Sequence, residues 1–311
     1  MRATLLLPAS RRFGGQAFST AAARVLGRGD RLPDATQGRR AQLLRHFRLV
    51  PNHWPVAALT RQADAGDAAG SAWLRADPCH VLPDINGARL LACGEGLALA
   101  REDVDALLPA LRPLFGDAGL TVDAPVPSRW YVRLPPGTAW PDFAEPEEAL
   151  GTDVFDHLPL GPGERRWRTL LSEAQVLLHN HPWNARRAEQ GKAPVNSLWF
   201  WGGGVLPDHV GSAHAAYSGD DETGIALAHA AGVLGPRRAR FEGVDRDTVF
   251  DLASLRDPAV LERDWLAPAL SALAEGRLDA LEVDSEDGLR VVLRRNHRWR
   301  FWRRPLKEPA A

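Results

Sequence analysis

The stretch richest in side chains able to do chemistry runs from Leu178 to Pro207, LHNHPWNARRAEQGKAPVNSLWFWGGGVLP. Arginine offers a planar fork for a carboxylate or phosphate, and asparagine a fixed amide. Convergence of His181, Asn184 and Arg187, with His179, Lys192 and Asn196 beside them, would therefore make a pocket for a small anion. Backbone N–H groups of Gly202 and Gly204, after an apolar strand, could cradle the same anion. The same residues also read without a ligand, His181 and Asn184 capping a helix end and Arg186 and Arg187 lying on a solvated face. A second cluster, Asp208, His209 and His214 with Asp220, Asp221 and Glu222 following, has the donor types that zinc or manganese takes. The Gly and Ser around it favour a solvated loop instead. Cys79 and Cys93 lack the C-x-x-C spacing of a redox pair and read as core or strand positions.

These residues must be held by a scaffold, and hydrophobic periodicity outlines it. Glu164–Asn180 is the best helix, with Trp167, Leu170, Leu171, Ala174, Leu177 and Leu178 recurring at three and four, and Pro182 fixes its end. Ser197–Trp201 is an apolar strand of the buried kind that Gly202–Gly204 should stop. Strand, glycine turn and later helix together suggest an α/β sheet whose ligand end lies at that turn. Thr4–Leu7 reads as a strand, and Ala17–Leu26 and Arg39–Arg48 as helices. Arg101–Phe115 is an amphipathic helix with an acidic first turn, Glu102-Asp103. Arg89–Cys93 and Arg129–Leu134 are further strands, Ala63–Gly70 is a linker or loose helix, and Pro135–Glu148 is a surface loop. Near the end, Trp265–Leu273 is a helix, and Leu278–Val283 and Leu289–Leu293 form a hairpin across Ser285–Gly288.

Composition narrows the function classes. The 311 residues are 45% apolar and 25% charged with a net charge of −1, which excludes wholesale disorder and any global electrostatic pull toward nucleic acid or anionic lipid. Two cysteines cannot build a disulfide framework. No run approaches the ~20 apolar residues of a membrane span, and Leu5–Leu7, cut by Pro8 and followed by Arg11 and Arg12, makes a poor signal peptide. A cytoplasmic protein without membrane contact is expected. Eleven tryptophans imply large packed surfaces or planar binding walls. From Arg290 to Lys307 there are eight Lys/Arg and no acid, interleaved with Trp299, Phe301 and Trp302. That mixture suits single-stranded nucleic acid. Five acids in Asp279–Asp287 can neutralise the hairpin across its strands, however, and alternation would bury the aromatics on one face, so nucleic acid is disfavoured.

The pattern HP-x-N-x-x-R…GK-x-P-x-N-S-x-W-x-WG-x-G, from His181 to Gly204, resembles the substrate-side motif of archaeal-type cofactor-independent phosphoglycerate mutases of the alkaline phosphatase superfamily. Trp73–Gly94, Pro127–Leu134 and Asp156–Gly163 resemble further parts of the mutase substrate domain. End to end, the chain is similar to a proteobacterial regulatory family, the "regulation of pathogenicity factors" E type. The resemblance implies an α/β fold: an alkaline-phosphatase-like core remnant (1–72 and 196–311) with an inserted α+β substrate-type domain (73–195). It also implies that His181, Asn184 and Arg187 lie nearest the substrate. Two departures stand out. Ala9 occupies the place of a metal-binding Asp after the first strand, and Trp54 that of the nucleophilic Ser in Val50–Pro55. The late Asp-His and His pattern is missing from residues 240–311. A degenerate, non-catalytic or regulatory protein is therefore expected, without a cofactor, binding a small phosphorylated or carboxylated metabolite or a protein partner. Manganese, zinc or magnesium would be needed only if mutase or phosphatase chemistry survives, with Asp208, His209 and His214 as relocated ligands.

Overall fold

The computed structural model describes residues 1–84 and 87–306. Ile85 and Asn86 of the Trp73–Gly94 motif, and Lys307 of the basic tail, lie outside the described residues. The chain divides into two compact units, Met1–Asn52 with Asp208–Ala311, and His53–Pro207. Residues 73–195 thus share their unit with two flanking segments, 53–72 and 196–207. Elements are numbered along the chain.

The first unit is built on a six-stranded sheet of β1 (Arg2–Leu7), β2 (Asp30–Arg31), β10 (Ala216–Ser218), β11 (Thr248–Asp251), β12 (Ala280–Ser285) and β13 (Arg290–Leu293). Their order is β10-β11-β1-β12-β13-β2. β1 runs parallel to both β11 and β12, and β10 parallel to β11, whereas β13 turns back antiparallel as the hairpin periodicity predicts. A run buried at every position, such as Ala3–Leu7, suits a central parallel strand covered on both faces. The helices of this unit are α1 (Thr20–Gly27), α2 (Arg39–His46), α8 (Glu222–Ala230), α9 (Pro258–Leu261) and α10 (Ala267–Glu275). Leu5, Phe250, Trp265, Leu273 and Leu281 are among the residues that fill its core. A separate ribbon pairs β3 (Phe47–Val50) antiparallel with β9 (His209–Ser212). The helix expected over Arg39–Arg48 therefore ends at His46, because Phe47 and Arg48 are drawn into that ribbon.

The second unit carries β4 (Ala72–Asp84), β5 (Gly87–Cys93), β6 (Thr121–Val126), β7 (Arg129–Leu134) and β8 (Ser197–Val205), with α3 (Val56–Ala65), α4 (Arg101–Asp117), α5 (Pro146–Ala149), α6 (Glu164–His179) and α7 (Trp183–Glu189). β4 is its spine: β8 lies along one edge, and β7 and then β5 along the other, all antiparallel. The strand expected to stop at Trp201 continues through the three glycines to Val205. The glycines are part of an antiparallel ladder, so the expected ligand turn of a parallel sheet is not there. Helices α4 and α6 lay Leu107, Leu111, Phe115, Trp167, Leu170 and Leu178 against Phe200 and Trp130, as their spacing predicts. The fold is mixed α/β in both units.

The buried tryptophans build packed surfaces. Trp73, Trp130, Trp167 and Trp199 are buried, and each indole N–H donates to a backbone carbonyl, of Ala68, Pro127, Ala139 and Ala144 respectively. Trp201 donates to Asp77, which also holds the buried Arg75 guanidinium in a fork of 2.9 and 2.8 Å. A large ring with one polar handle is retained inside only when that handle is satisfied.

Candidate functional site

The motif from His181 to Gly204 is brought together, but around protein groups. Arg187 is 1% exposed, with Nη1 2.9 Å from Asp103 Oδ2. Its Nε donates to the Ala193 carbonyl and its Nη2 to that of Leu97. Asp103 also accepts from the Ala100 amide and the Trp183 indole at 2.8 Å each. Burial pushes this carboxyl up, but the Ala100 amide, the Trp183 indole and the Arg187 guanidinium outweigh it and hold it below the usual carboxylate range. Asn184 donates to the Leu178 and Val195 carbonyls and accepts from the Val195 amide, tying the end of α6 to the start of β8. Asn196 accepts from the Val81 amide and donates to the Val81 carbonyl, matching the register shift of β4 and β5 at His80/Val81. The expected anion clamp is thus already filled. His181 Nδ1 accepts from the Trp183 amide, Lys192 is half-buried, and His179 is exposed on the last turn of α6.

The glycines have a steric reason of their own. Gly202 has φ +66°, and a Cβ there would lie 3.0 Å from Val56 Cβ. A Cβ on Gly204 would come within 2.6 Å of Pro55 Cβ, and one on Gly203 within 2.8 Å of Trp140 Nε1. The missing side chains let the start of α3 and the Trp140 ring sit directly on β8. These contacts account for the glycines without the expected anion cradle at Gly202 and Gly204.

The alternative metal ligands do not converge. Asp208 and His209 are exposed, and His209 opens β9 opposite Val50. Asp220 holds Arg237 and Ser254, and Asp221 caps α8 through the Gly224 amide. Among the described residues, no group of three or more His, Cys, Asp or Glu is placed to hold a metal ion. His214 instead turns to His46.

That contact belongs to a polar cluster at the carboxyl ends of the parallel strands, where sites of α/β sheets form. α2 presents Arg39, Gln42, Arg45 and His46 to it. Arg39 pairs with Asp251, the last residue of β11, and lies 3.0 Å from Asp221. The Tyr217 hydroxyl donates to the same Asp251 carboxylate. Gln42 donates to the Leu7 and Asp284 carbonyls, bridging the ends of β1 and β12. Arg45 forks onto Asp284 at 2.9 and 2.6 Å, His46 Nε2 lies 3.0 Å from Asp284, and His46 Nδ1 lies 3.0 Å from His214 Nε2. Past the end of β1, the Ala9 amide donates to Glu286 and the Ser10 amide to Asp287.

The electrostatics follow from burial and pairing. Burial works against the Arg39 charge, but Asp221 and Asp251 hold the guanidinium protonated well above its ordinary value. Burial likewise raises the Tyr217 phenol, leaving it a hydrogen-bond donor. Asp284 is pushed up by burial, yet Arg45 and His46 hold it below the usual range. His214 is lowered to about 4, first by burial and then by His46. The resemblance to the mutases implies divalent cations at such strand ends, and this donor set does not fit them. Asp251 and Asp284 each already face a guanidinium, and a dication would have to displace it.

Of the side chains in this cluster, spacing along the chain singles out only Asp221 and His214. The legible signal was polar, Arg39, Gln42 and His46 at helical spacing on the buried side of α2, beside the aspartates near the ends of the strands TVFD and ALEVDS.

The basic tail also departs from expectation. Arg290 does pair with Glu282 across the hairpin, but Arg294 and Arg300 use Asp30. The chain leaves the sheet after Leu293 for a short 3₁₀ turn, Arg295–Trp299. Trp299, Phe301 and Trp302 are 65%, 79% and 68% exposed, so no buried face collects them.

Comparisons with known proteins place one segment. No family model matches the chain. Over 62 residues it is 44% identical to a probable 2,3-bisphosphoglycerate-independent phosphoglycerate mutase of Geobacter sulfurreducens. Over the same length it is 37% identical to a 2,3-bisphosphoglycerate-independent phosphoglycerate mutase of Methanothrix thermoacetophila. Each match spans 20% of this chain and 16% of the relative, so the chain is phosphoglycerate mutase-like over that segment. Among solved structures, the PH0037 protein of Pyrococcus horikoshii superposes with a TM-score of 0.46 at 12% identity, covering 93% of this chain and 86% of that one. The cofactor-independent phosphoglycerate mutase of Thermoplasma acidophilum gives 0.38 at 13%, over 94% and 89%. No helix of the described residues is long and apolar enough to cross a membrane.

Proposed function

We propose that this chain is a degenerate relative of the cofactor-independent phosphoglycerate mutases, on an alkaline-phosphatase-type scaffold, that acts by binding rather than by phosphoryl transfer. A regulatory role, with a small phosphorylated or carboxylated metabolite or a protein as partner, follows from that reading. The observation that carries it is the pair of guanidiniums at the carboxyl ends of the parallel strands. Arg39 on Asp251 and Asp221, and Arg45 on Asp284, already provide positive charge beside the acids that a metal-dependent transferase would use for its ions. Ala9 offers only a backbone amide at the end of β1, held by Glu286, and the Trp54 indole donates to Glu145. Ala9 supplies no metal-binding carboxylate, and Trp54 supplies no nucleophilic oxygen.

The test is twofold. Purified protein is analysed for bound metal and assayed for interconversion of 2- and 3-phosphoglycerate with added manganese, cobalt, zinc or magnesium. Substoichiometric metal and no turnover are expected. Metal-dependent turnover, or a phosphorylated side chain trapped with substrate, would overturn the reading.

A second reading, a binding module for single-stranded nucleic acid, is favoured by the exposed Trp299, Phe301 and Trp302 among arginines. Quenching of tryptophan fluorescence by oligothymidine, weakened by salt and lost in Trp299→Ala/Trp302→Ala, would support it. Unchanged fluorescence at low salt would remove it.

A further inference from the structure

The chain has two cysteines in 311 residues, and the fold sets them face to face. Cys79 on β4 and Cys93 on β5 are direct partners in the antiparallel ladder. Directly opposed residues of such a pair have Cα atoms about 4.5–5.5 Å apart and side chains on the same side of the sheet. That span lies within the roughly 4.4–6.8 Å that a disulfide bridges. Packing says the same independently, because Cys79 belongs to the cluster of Val56, Val81, Leu90 and Trp199, and Cys93 packs against that cluster. The two sulfurs are not joined in a disulfide, and Cys79 is fully buried while Cys93 is partly exposed.

We propose that Cys79 and Cys93 form a covalent modification site, a cross-strand disulfide closed by exchange with a small-molecule disulfide such as oxidised glutathione. The asymmetry in exposure orders the steps. The Cys93 thiolate attacks the glutathione disulfide, forming a mixed disulfide and releasing one glutathione thiolate. Cys79 then attacks the Cys93 sulfur, its proton passing to the departing glutathione sulfur, which closes the protein disulfide and expels the second glutathione as its thiol. In sum, two protein thiols are oxidised and one glutathione disulfide is reduced to two glutathiones. Burial pushes the Cys79 thiol up to about 12, which makes the second step the slow one. The product would rivet β5 to β4.

The test incubates the folded full-length protein with oxidised glutathione, quenches with acid and counts free thiols, with non-reducing peptide mapping. Expected are loss of both thiols, a Cys79–Cys93 linked peptide and unchanged monomer mass apart from two hydrogens. Cys79→Ser should arrest the reaction at a glutathione adduct on Cys93, and Cys93→Ser should leave Cys79 unmodified. A stable Cys93 adduct in the unmutated protein, two surviving thiols, or closure only in denaturant would each overturn the proposal. Should a serine variant fail to fold, thiol counting and mapping of the unmutated protein still decide.

Discussion

Replacing Arg187 with Met separates a structural arginine from a ligand clamp. The guanidinium is buried against Asp103, and two further N–H groups satisfy the carbonyls of Ala193 and Leu97. Removing one member of a buried ion pair strands the other without compensation and costs about 3–5 kcal/mol. Methionine fills most of the volume, so little of that loss is cavity. At about 2–4 °C per kcal/mol for a unit of roughly 150 residues, the melting temperature should fall by about 6–20 °C. Urea unfolding followed by tryptophan fluorescence gives the free energy directly. A second variant, Asp103→Leu with Arg187→Met, removes both charges and should be less destabilised than the sum of the singles by about 1–3 kcal/mol. Recovery stays partial because Asp103 also accepts from the Ala100 amide and Trp183. A loss below about 1 kcal/mol in Arg187→Met, coupled with loss of stabilisation by phosphoglycerate, would refute the structural assignment and restore the clamp.

Three further outcomes follow from the cluster at the strand ends. His214 titrates near 6.5 when unfolded and about 4 when folded, so the unfolded chain binds more protons between those values and stability must fall as pH drops through that window. After discounting for a partly exposed ring, the loss is about 1–2 kcal/mol, and His214→Phe should flatten it in urea titrations from pH 7 to 4.5; an unchanged slope would contradict the assignment. Gly224→Ala, a change that ordinarily favours a helix, should here cost about 1–3 kcal/mol, because the new Cβ would lie 1.9 Å from the Tyr217 hydroxyl; a melting temperature at or above the parent's would count against this packing. Arg39→Ala leaves Asp251 and Asp221 facing each other without their shared cation, so manganese should raise the melting temperature of this variant and not of the parent; equal responses would show that Arg39 does not occupy a cation position.

The sequence by itself determined what depends on near neighbours along the chain. The apolar run of β1, the stripes of α4 and α6, the hairpin of β12 and β13 and the mixed α/β class were all legible, because periodicity reports which face of an element is buried. It also located the dense polar segment before β8. Only the tertiary structure decided what those polar groups meet. Arg187 reads as an anion clamp until Asp103, from another helix, fills its fork, and Gly202–Gly204 read as a turn until Pro55, Val56 and Trp140 occupy the space that their missing side chains leave. Arg39, Gln42 and His46 were visible as a stripe, but their partners Asp251, Asp284 and His214 lie more than 160 residues further along. Cys79 and Cys93 lack redox spacing in the chain and acquire it from the register of β4 and β5. Local propensity fixes an element and its buried face, whereas the partner of a charge, a thiol or a missing Cβ is set by long-range packing, which spacing along one chain does not encode.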